Sequence, residues 1–296
     1  MDGFLNINKP LGMTSSDVVV YVRRRLPKGT RVGHGGTLDP EASGVLPVCV
    51  GRAARLFDYI IDKEKTYVAV LKLGVTTETQ DASGQVVKTL PVDVDVGAAA
   101  VAAVLPEFEG EIEQIPPMYS AIKRDGKRLY QLARKGETVE VAPRACRVHG
   151  VELLDDLGED RYRLRITCGK GVYIRTICHD IGARLGCGGH MESLERAQAG
   201  AFRIEDALTL AQVDALAQAG TLSSALVPMD MPIAHIPAVR VGEKAAHAVK
   251  NGNPLNPGWL DAPAPKGILR VYLGDRFCGM GEAEADGTVR FKAMLL

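Results

Sequence analysis

The chain has 296 residues, no formal net charge at pH 7 and a mean hydropathy of zero. That length supports a sizeable core in one large or two smaller domains, and 46% hydrophobic with 24% charged residues excludes disordered and fibrous classes. No apolar run reaches the roughly eighteen residues that cross a bilayer, and the N-terminus lacks the basic, apolar, small-residue order of a signal peptide, so a cytoplasmic location is expected.

In chain order, Phe4–Ile7 reads as a strand and Asp17–Leu26 as a helix capped by Ser15 or Ser16, with Val18, Val22 and Leu26 on one face. The run GHGGTLDPEASGVL (Gly33 to Leu46) follows. Pro40 pushes Asp39 out of the helical region, which presents its carboxylate in a glycine-rich loop. The same three residues, Asp39, Pro40 and Glu41, also make a good helix start with Asp39 as N-cap. The loop has neither the GxxxxGK[ST] nor the GxGxxG order of a nucleotide site, and Ala42-Ser43-Gly44 does not supply a hydrolase's GxSxG. Val45–Val50 and Tyr67–Leu73 are β-rich, and Ala98–Leu105 is helical after a Pro-Val-Asp-Val-Asp linker.

Charge is local rather than global. Between Lys123 and Arg147 stand eight basic residues against three acids, and between Arg161 and Arg175 five basic residues and no acid. Clustering of this kind suggests a polyanionic partner. In Arg161–Cys168 the alternation is strict, with Arg161, Arg163 and Arg165 on one face and Tyr162, Leu164, Ile166 and Cys168 on the other. Val172–Leu185 carries Ile174, Ile177, Ile181 and Leu185 at helical spacing, with Arg175 in the first turn off that face. The six cysteines lack paired spacing and suit reduced thiols. Cys168, Cys178, Cys187 and His190 contain no CxxC pair, and no metal is expected. Pro228–Pro237 marks a boundary, after which a helix near Gly242–Lys250, a strand near Ile268–Leu273 and an Asp286-Gly287 hairpin turn fit a small β-barrel.

Several separated blocks carry a family resemblance. Asn8-Lys9-Pro10-Leu11-Gly12-Met13-Thr14-Ser15 resembles the KPxGxTS block of bacterial tRNA pseudouridine synthases of the TruB type. His34 with Gly36–Pro40 and Gly44–Leu46 is similar to their catalytic loop, Lys65-Thr66-Tyr67 to their tyrosine strand, and Asp81–Gly84 to the turn after it. Pro116–Lys123 with Gly126–Tyr130 resembles the RNA-contacting segment, Cys168–Thr176 the arginine block, and Gly188–Leu194 the last catalytic-domain block. The chain departs from the pattern at Glu41, Gly189 and Glu195, and the last of these removes a positive charge, so Glu195 is assigned no RNA contact.

The resemblance implies an α+β catalytic domain over residues 1–232, built on a mixed, largely antiparallel sheet with an RNA-contacting insertion near 116–147, and a PUA-like β-barrel over 236–296. It implies isomerisation of uridine 55 in the tRNA T-loop without cofactor or metal. Asp39 is then the catalytic residue, Arg175 the counter-ion that keeps it ionised in a dry pocket, Tyr67 the platform under the flipped uracil and Leu194 an apolar wall. His34 would occupy the space the flipped base leaves. Lys123, Lys127, Arg128, Arg161, Arg163 and Arg165 would hold the T-arm backbone, and the tail module the acceptor stem. A monomer without membrane contact is expected. Two rivals stay open: a related synthase that is guide-RNA-directed or acts on another RNA, and a tRNA-binding chaperone with no chemistry.

Overall fold

Alternating burial makes strands of Lys65–Leu73 and Arg161–Cys168, and the two pair antiparallel along their whole length, Tyr67 opposite Ile166. The computed structural model describes residues 1–61, 63–119, 123–124, 127–129, 132, 137, 139 and 141–296. Its strands in the first part of the chain are β1 (Gly3–Lys9), β2 (Val32–His34), β3 (Ala42–Val50), β4 (Lys65–Leu73), β5 (Val75–Thr77), β6 (Val86–Thr89), β7 (Gly110–Gln114), β8 (Lys123–Arg124), β9 (Lys127–Arg128), β10 (Arg144–Gly158), β11 (Arg161–Cys168), β12 (Gly189–Ala199) and β13 (Phe202–Arg203). The α-helices whose bounds lie among the described residues are α1 (Ser15–Arg23), α2 (Phe57–Ile61), α3 (Ala98–Val104), α4 (Ile174–Arg184), α5 (Leu210–Gln218) and α6 (Ala246–Lys250).

The central sheet runs β1-β3-β12-β4-β11-β10-β7, with β2 on β3 and β13 on β12. All its pairings are antiparallel except β12 with β3, where Leu194 faces Ala42 and Arg196 faces Gly44. It is therefore the mixed, largely antiparallel sheet that the sequence implies. A side chain at position 44 is forbidden, because a Cβ there would lie 2.4 Å from the Arg196 carbonyl and the backbone is left-handed at φ +99°. Helix α4 covers one face of the sheet with Ile174, Ile177 and Ile181, all buried, each contributing about 1.5–3 kcal/mol. Its Gly182 meets the Gly188–Gly189 backbone with no room for a methyl group, a Cβ falling 2.3 Å away. Gly182→Ala is therefore expected to destabilise the fold by about 1–3 kcal/mol, read as a lower urea midpoint at unchanged slope. A midpoint equal to wild type would show that the helix can move off the turn.

Two local expectations are corrected. The cap of α1 is Thr14 rather than Ser15 or Ser16, because Thr14 and Asp17 form a reciprocal capping box. No helix starts at Asp39. The Ala42 N–H donates to the Asp39 carbonyl at 3.0 Å, so Pro40 sits at the second position of a tight turn that feeds β3.

The tail forms its own sheet, β14 (Ala238–Val241), β15 (Gly267–Leu273), β16 (Arg276–Ala283) and β17 (Val289–Met294), in that order. Its edge strands are linked through one intervening segment, since Val241 bridges Leu260 and Leu255 bridges Val289, which curls the sheet toward closure. The pattern agrees with a PUA-like module. Met280 and Leu295 pack with Phe4, Cys49, Phe202 and Ile233, so the tail shares a core with the body.

Candidate active site

The loop carrying Asp39 is held through its main chain from three directions. From α1, the buried Ser15 hydroxyl donates to the Leu38 carbonyl (3.0 Å) and accepts from the Leu38 N–H (2.8 Å). From the β1–α1 turn, the Gly12 N–H donates to the Pro40 carbonyl at 2.9 Å. The fully buried Lys9 Nζ donates to the carbonyls of Pro10, Met13 and, at 3.4 Å, Pro40. From β12, Arg196, 1% exposed, donates Nε to Val45 (2.7 Å), Nη2 to Gly36 (3.2 Å) and Nη1 to Thr37 (3.4 Å), all carbonyl oxygens. Burial pushes the Lys9 amine down to about 8, against the attraction of nearby Asp39.

The Asp39 side chain projects from this scaffold, half-exposed, toward Arg175, whose Nη2 donates to its Oδ2 at 2.9 Å. Arg175 is the second residue of α4 and is buried. Its Nη1 donates to Asp81 Oδ2 at 3.3 Å, and Nη2 also donates to the Tyr119 carbonyl at 3.0 Å. Asp81 is buried too, and its second oxygen accepts from the Thr79 hydroxyl (2.6 Å), the Ser83 hydroxyl (2.6 Å) and the Ser83 N–H (3.0 Å). One guanidinium thus bridges a carboxylate locked in the interior and one presented to solvent.

A cleft of about 330 Å³ opens over Asp39, with Tyr67, Leu194, Met191 and Ile174 on its apolar side. Register explains the convergence: Arg196 lies opposite Tyr67 and Leu194 opposite Ala69, so one face of β12 and β4 supplies both wall and loop anchor. Burial, ahead of the nearby Arg196 charge, decides the tyrosine's direction and holds its phenol above the ordinary range, so it is protonated at neutral pH. The cleft combines one carboxylate, a fixed cation and a flat aromatic face. Such a set suits a planar ring beside a centre that develops positive charge.

Of the residues singled out from sequence, Asp39, Tyr67, Arg175 and Leu194 share this cleft. His34 ends β2 outside its wall, half-buried, with Nδ1 unbonded among the described residues; burial and then the Arg196 charge lower its pKa, which keeps the ring neutral. The arginines of β11 lie elsewhere. Tyr67 shares a sheet face with its register partner Ile166, so Arg161, Arg163 and Arg165 point to the opposite face, away from the cleft. They are not an open basic stripe either: Glu159, Asp155 and Glu152 pair with them at 2.8, 2.7 and 2.7 Å. The acids come from β10 and its turn, which the count along β11 alone does not see. Lys123, Lys127 and Arg128 lie in the β8–β9 ribbon, but their side chains fall outside the described residues. Cys168 and Cys178 are core thiols pushed up to about 12 by burial.

Sequence reasoning missed Asp81 as the second partner of Arg175, and Lys9, Ser15 and Arg196 as loop anchors. The one available signal for Arg196 is a lone arginine in an otherwise strand-like run.

Three family models cover most of the chain. Residues 23–174 match the family described as TruB family pseudouridylate synthase (N terminal domain), 175–234 the tRNA pseudouridylate synthase B C-terminal domain, and 237–295 Pseudouridine synthase II TruB, C-terminal. The chain belongs to the TruB family of pseudouridylate synthases. Similar TruB relatives include tRNA pseudouridine synthase B of Dechloromonas aromatica, 45% identical over 95% of this chain and 91% of that one. Its counterpart in Geobacillus kaustophilus is 44% identical over 94% of this chain and 99% of that one. Among solved structures, a Cbf5-Nop10-Gar1 complex contains a chain that is 30% identical, with a TM-score of 0.75, covering 99% of this chain and 85% of that one.

Proposed function

We infer that this protein isomerises uridine 55 of tRNA to pseudouridine, with Asp39 as the catalytic residue. The observation that carries this reading is the half-exposed Asp39 carboxylate fixed at 2.9 Å by the buried Arg175 beneath an aromatic wall, in a chain of the TruB family. The reaction breaks the bond from C1′ to N1 and forms one from C1′ to C5; C5 loses its proton and N1 gains one. Atoms balance within the nucleotide, so no oxidant or acceptor is called for.

The uridine leaves the T-loop stack and lies against Tyr67, with Leu194 excluding water. Arg175 offsets the desolvation that would otherwise protonate Asp39 under the base. The carboxylate then attacks or stabilises the sugar carbon as the glycosidic bond opens. His34 fills the gap the base leaves. Lys123, Lys127 and Arg128 grip the T-arm backbone, and neutralising Lys127 and Arg128 together is expected to weaken tRNA binding and flatten its salt dependence with the chemical step unchanged. Equal affinity at every salt concentration would remove them from the interface.

Residues 1–232 form the catalytic domain and 236–296 the module on the acceptor-stem side. In support of that orientation, a second cleft lined by Lys28, Arg31, Arg52 and Arg55 lies beside Leu296, at the far end of β3 from Asp39. Nine residues of strand separate the two ends by roughly 30 Å. We place the protein in the cytoplasm as a monomer; no helix among the described residues is long and apolar enough to cross a membrane.

Tritium release from 5-tritiated uridine in a purified tRNA transcript, without any guide RNA, tests the reading. Release that vanishes when uridine 55 is replaced by cytidine supports it. Release only on adding a guide would favour the guide-directed reading, and binding without release the chaperone reading.

A further inference from the structure

We propose that Gln114 is a positioning residue that sets Arg175 in register with Asp39 and ties that ion pair to the root of the insertion near 116–147. The inference rests on the catalytic reading above. Helix α4 begins without a capping side chain of its own, since its N-cap is Tyr173. Gln114, the last residue of β7 and 3% exposed, takes over from another part of the chain. Its Oε1 accepts the Tyr173 N–H at 2.9 Å and its Nε2 donates to the Tyr173 carbonyl at 3.1 Å. That carbonyl also accepts the first helical bond, from the Ile177 N–H. A side-chain amide reading one peptide unit from both ends fixes where the helix starts, and Arg175 is two residues further on. The Cys146 thiol, 3.6 Å from Oε1, supports the amide from β10.

Five residues beyond Gln114, the Tyr119 carbonyl takes a hydrogen bond from the same Arg175 Nη2 that binds Asp39. The segment from Gln114 to Tyr119 therefore grips the arginine at both ends, first through the helix start and then through the guanidinium. Tyr119 stands among the first residues of that insertion. Any displacement of that root changes the geometry of the hydrogen bond to Asp39, which gives RNA held by the insertion a direct mechanical route to the ion pair.

The donor and acceptor of Gln114 must sit side by side, and this makes the proposal testable. Gln114→Leu keeps the bulk and loses both bonds. Gln114→Glu keeps both only while protonated, as a carboxylic acid; ionised, it presents a second acceptor to the Tyr173 carbonyl. With the full-length chain and a tRNA transcript, Gln114→Leu is expected to lower the single-turnover rate by roughly 10- to 100-fold with tRNA affinity within about twofold of wild type. The Gln114→Glu rate, divided by the wild-type rate at each pH, should approach one in acid and fall as pH rises. Circular dichroism at each pH reports the folded fraction, so a rate deficit that merely tracks unfolding is separated from misplacement and counts against the proposal. A flat ratio across pH, or wild-type turnover by Gln114→Leu, also overturns it. Should the wild type itself fail to modify tRNA, the functional reading fails but this one is still read: the Arg175 Nε–H resonance, identified by its loss in Arg175→Lys, should shift in Gln114→Leu, and an unmoved resonance would sink the idea.

Discussion

Asp39→Asn is expected to abolish turnover, by a factor on the order of 10⁴ or more, while tRNA binding stays at the wild-type level. The amide keeps the shape of the carboxylate but carries no charge, so it neither attacks nor stabilises the sugar carbon. Folding should be almost untouched, because the loop is held by the main chain of residues 36–40 and not by this side chain. The carboxylate is also half-exposed, and an ion pair with one end in water contributes little to stability. Tritium release and filter binding on the same preparation decide the matter. Release within tenfold of wild type would end the catalytic assignment, and a matching loss of binding would reassign Asp39 to RNA recognition.

The second large effect concerns the other partner. Arg175→Met removes the cation facing Asp81, a carboxylate with 7% side-chain exposure, and an abandoned buried charge typically costs about 3–5 kcal/mol. Asp39 can turn to water, so nearly all of that loss belongs to Asp81. Arg175→Met combined with Asp81→Asn should therefore be more stable than Arg175→Met alone, an interaction that urea midpoints in a double-mutant cycle reveal. Arg175→Lys keeps the charge without the fork. It cannot serve Asp39, Asp81 and the Tyr119 carbonyl together, and is expected to fold yet turn over about 100-fold more slowly. A loss below about 1 kcal/mol in Arg175→Met would show that the fold does not depend on this contact to Asp81.

How far the sequence revealed these groups depends on where each signal originates. The strand Arg161–Cys168 has the limits that its strict alternation implies, and the apolar spacing of Ile174, Ile177 and Ile181 locates α4, because burial on one face is written locally. Asp39, Tyr67, Arg175 and Leu194 were legible through spaced blocks and the resemblance they carry. Asp81, Lys9 and Arg196 were not, because a charged side chain reads as surface until its partners are known, and those partners lie up to 160 residues away. The arginine face of β11 was legible as a face, but its pairing with acids was hidden for the complementary reason. Its acids stand on the adjacent strand, and which side of the sheet faces the cleft is settled by register with β4. Ser15 looked like a helix cap and is instead a clasp on Leu38, a role its neighbour Thr14 left free.

The one parallel pairing of the central sheet, where Ala42–Gly44 meets Leu194–Arg196, has a temporal consequence. Asp39 leaves the ribosome long before Arg196, and at about 5–20 residues per second the interval is roughly 8–30 s. Throughout that interval the nascent polypeptide lacks the β12 staple on carbonyls 36 and 37, so a half-made enzyme has no completed pocket with which to catch RNA.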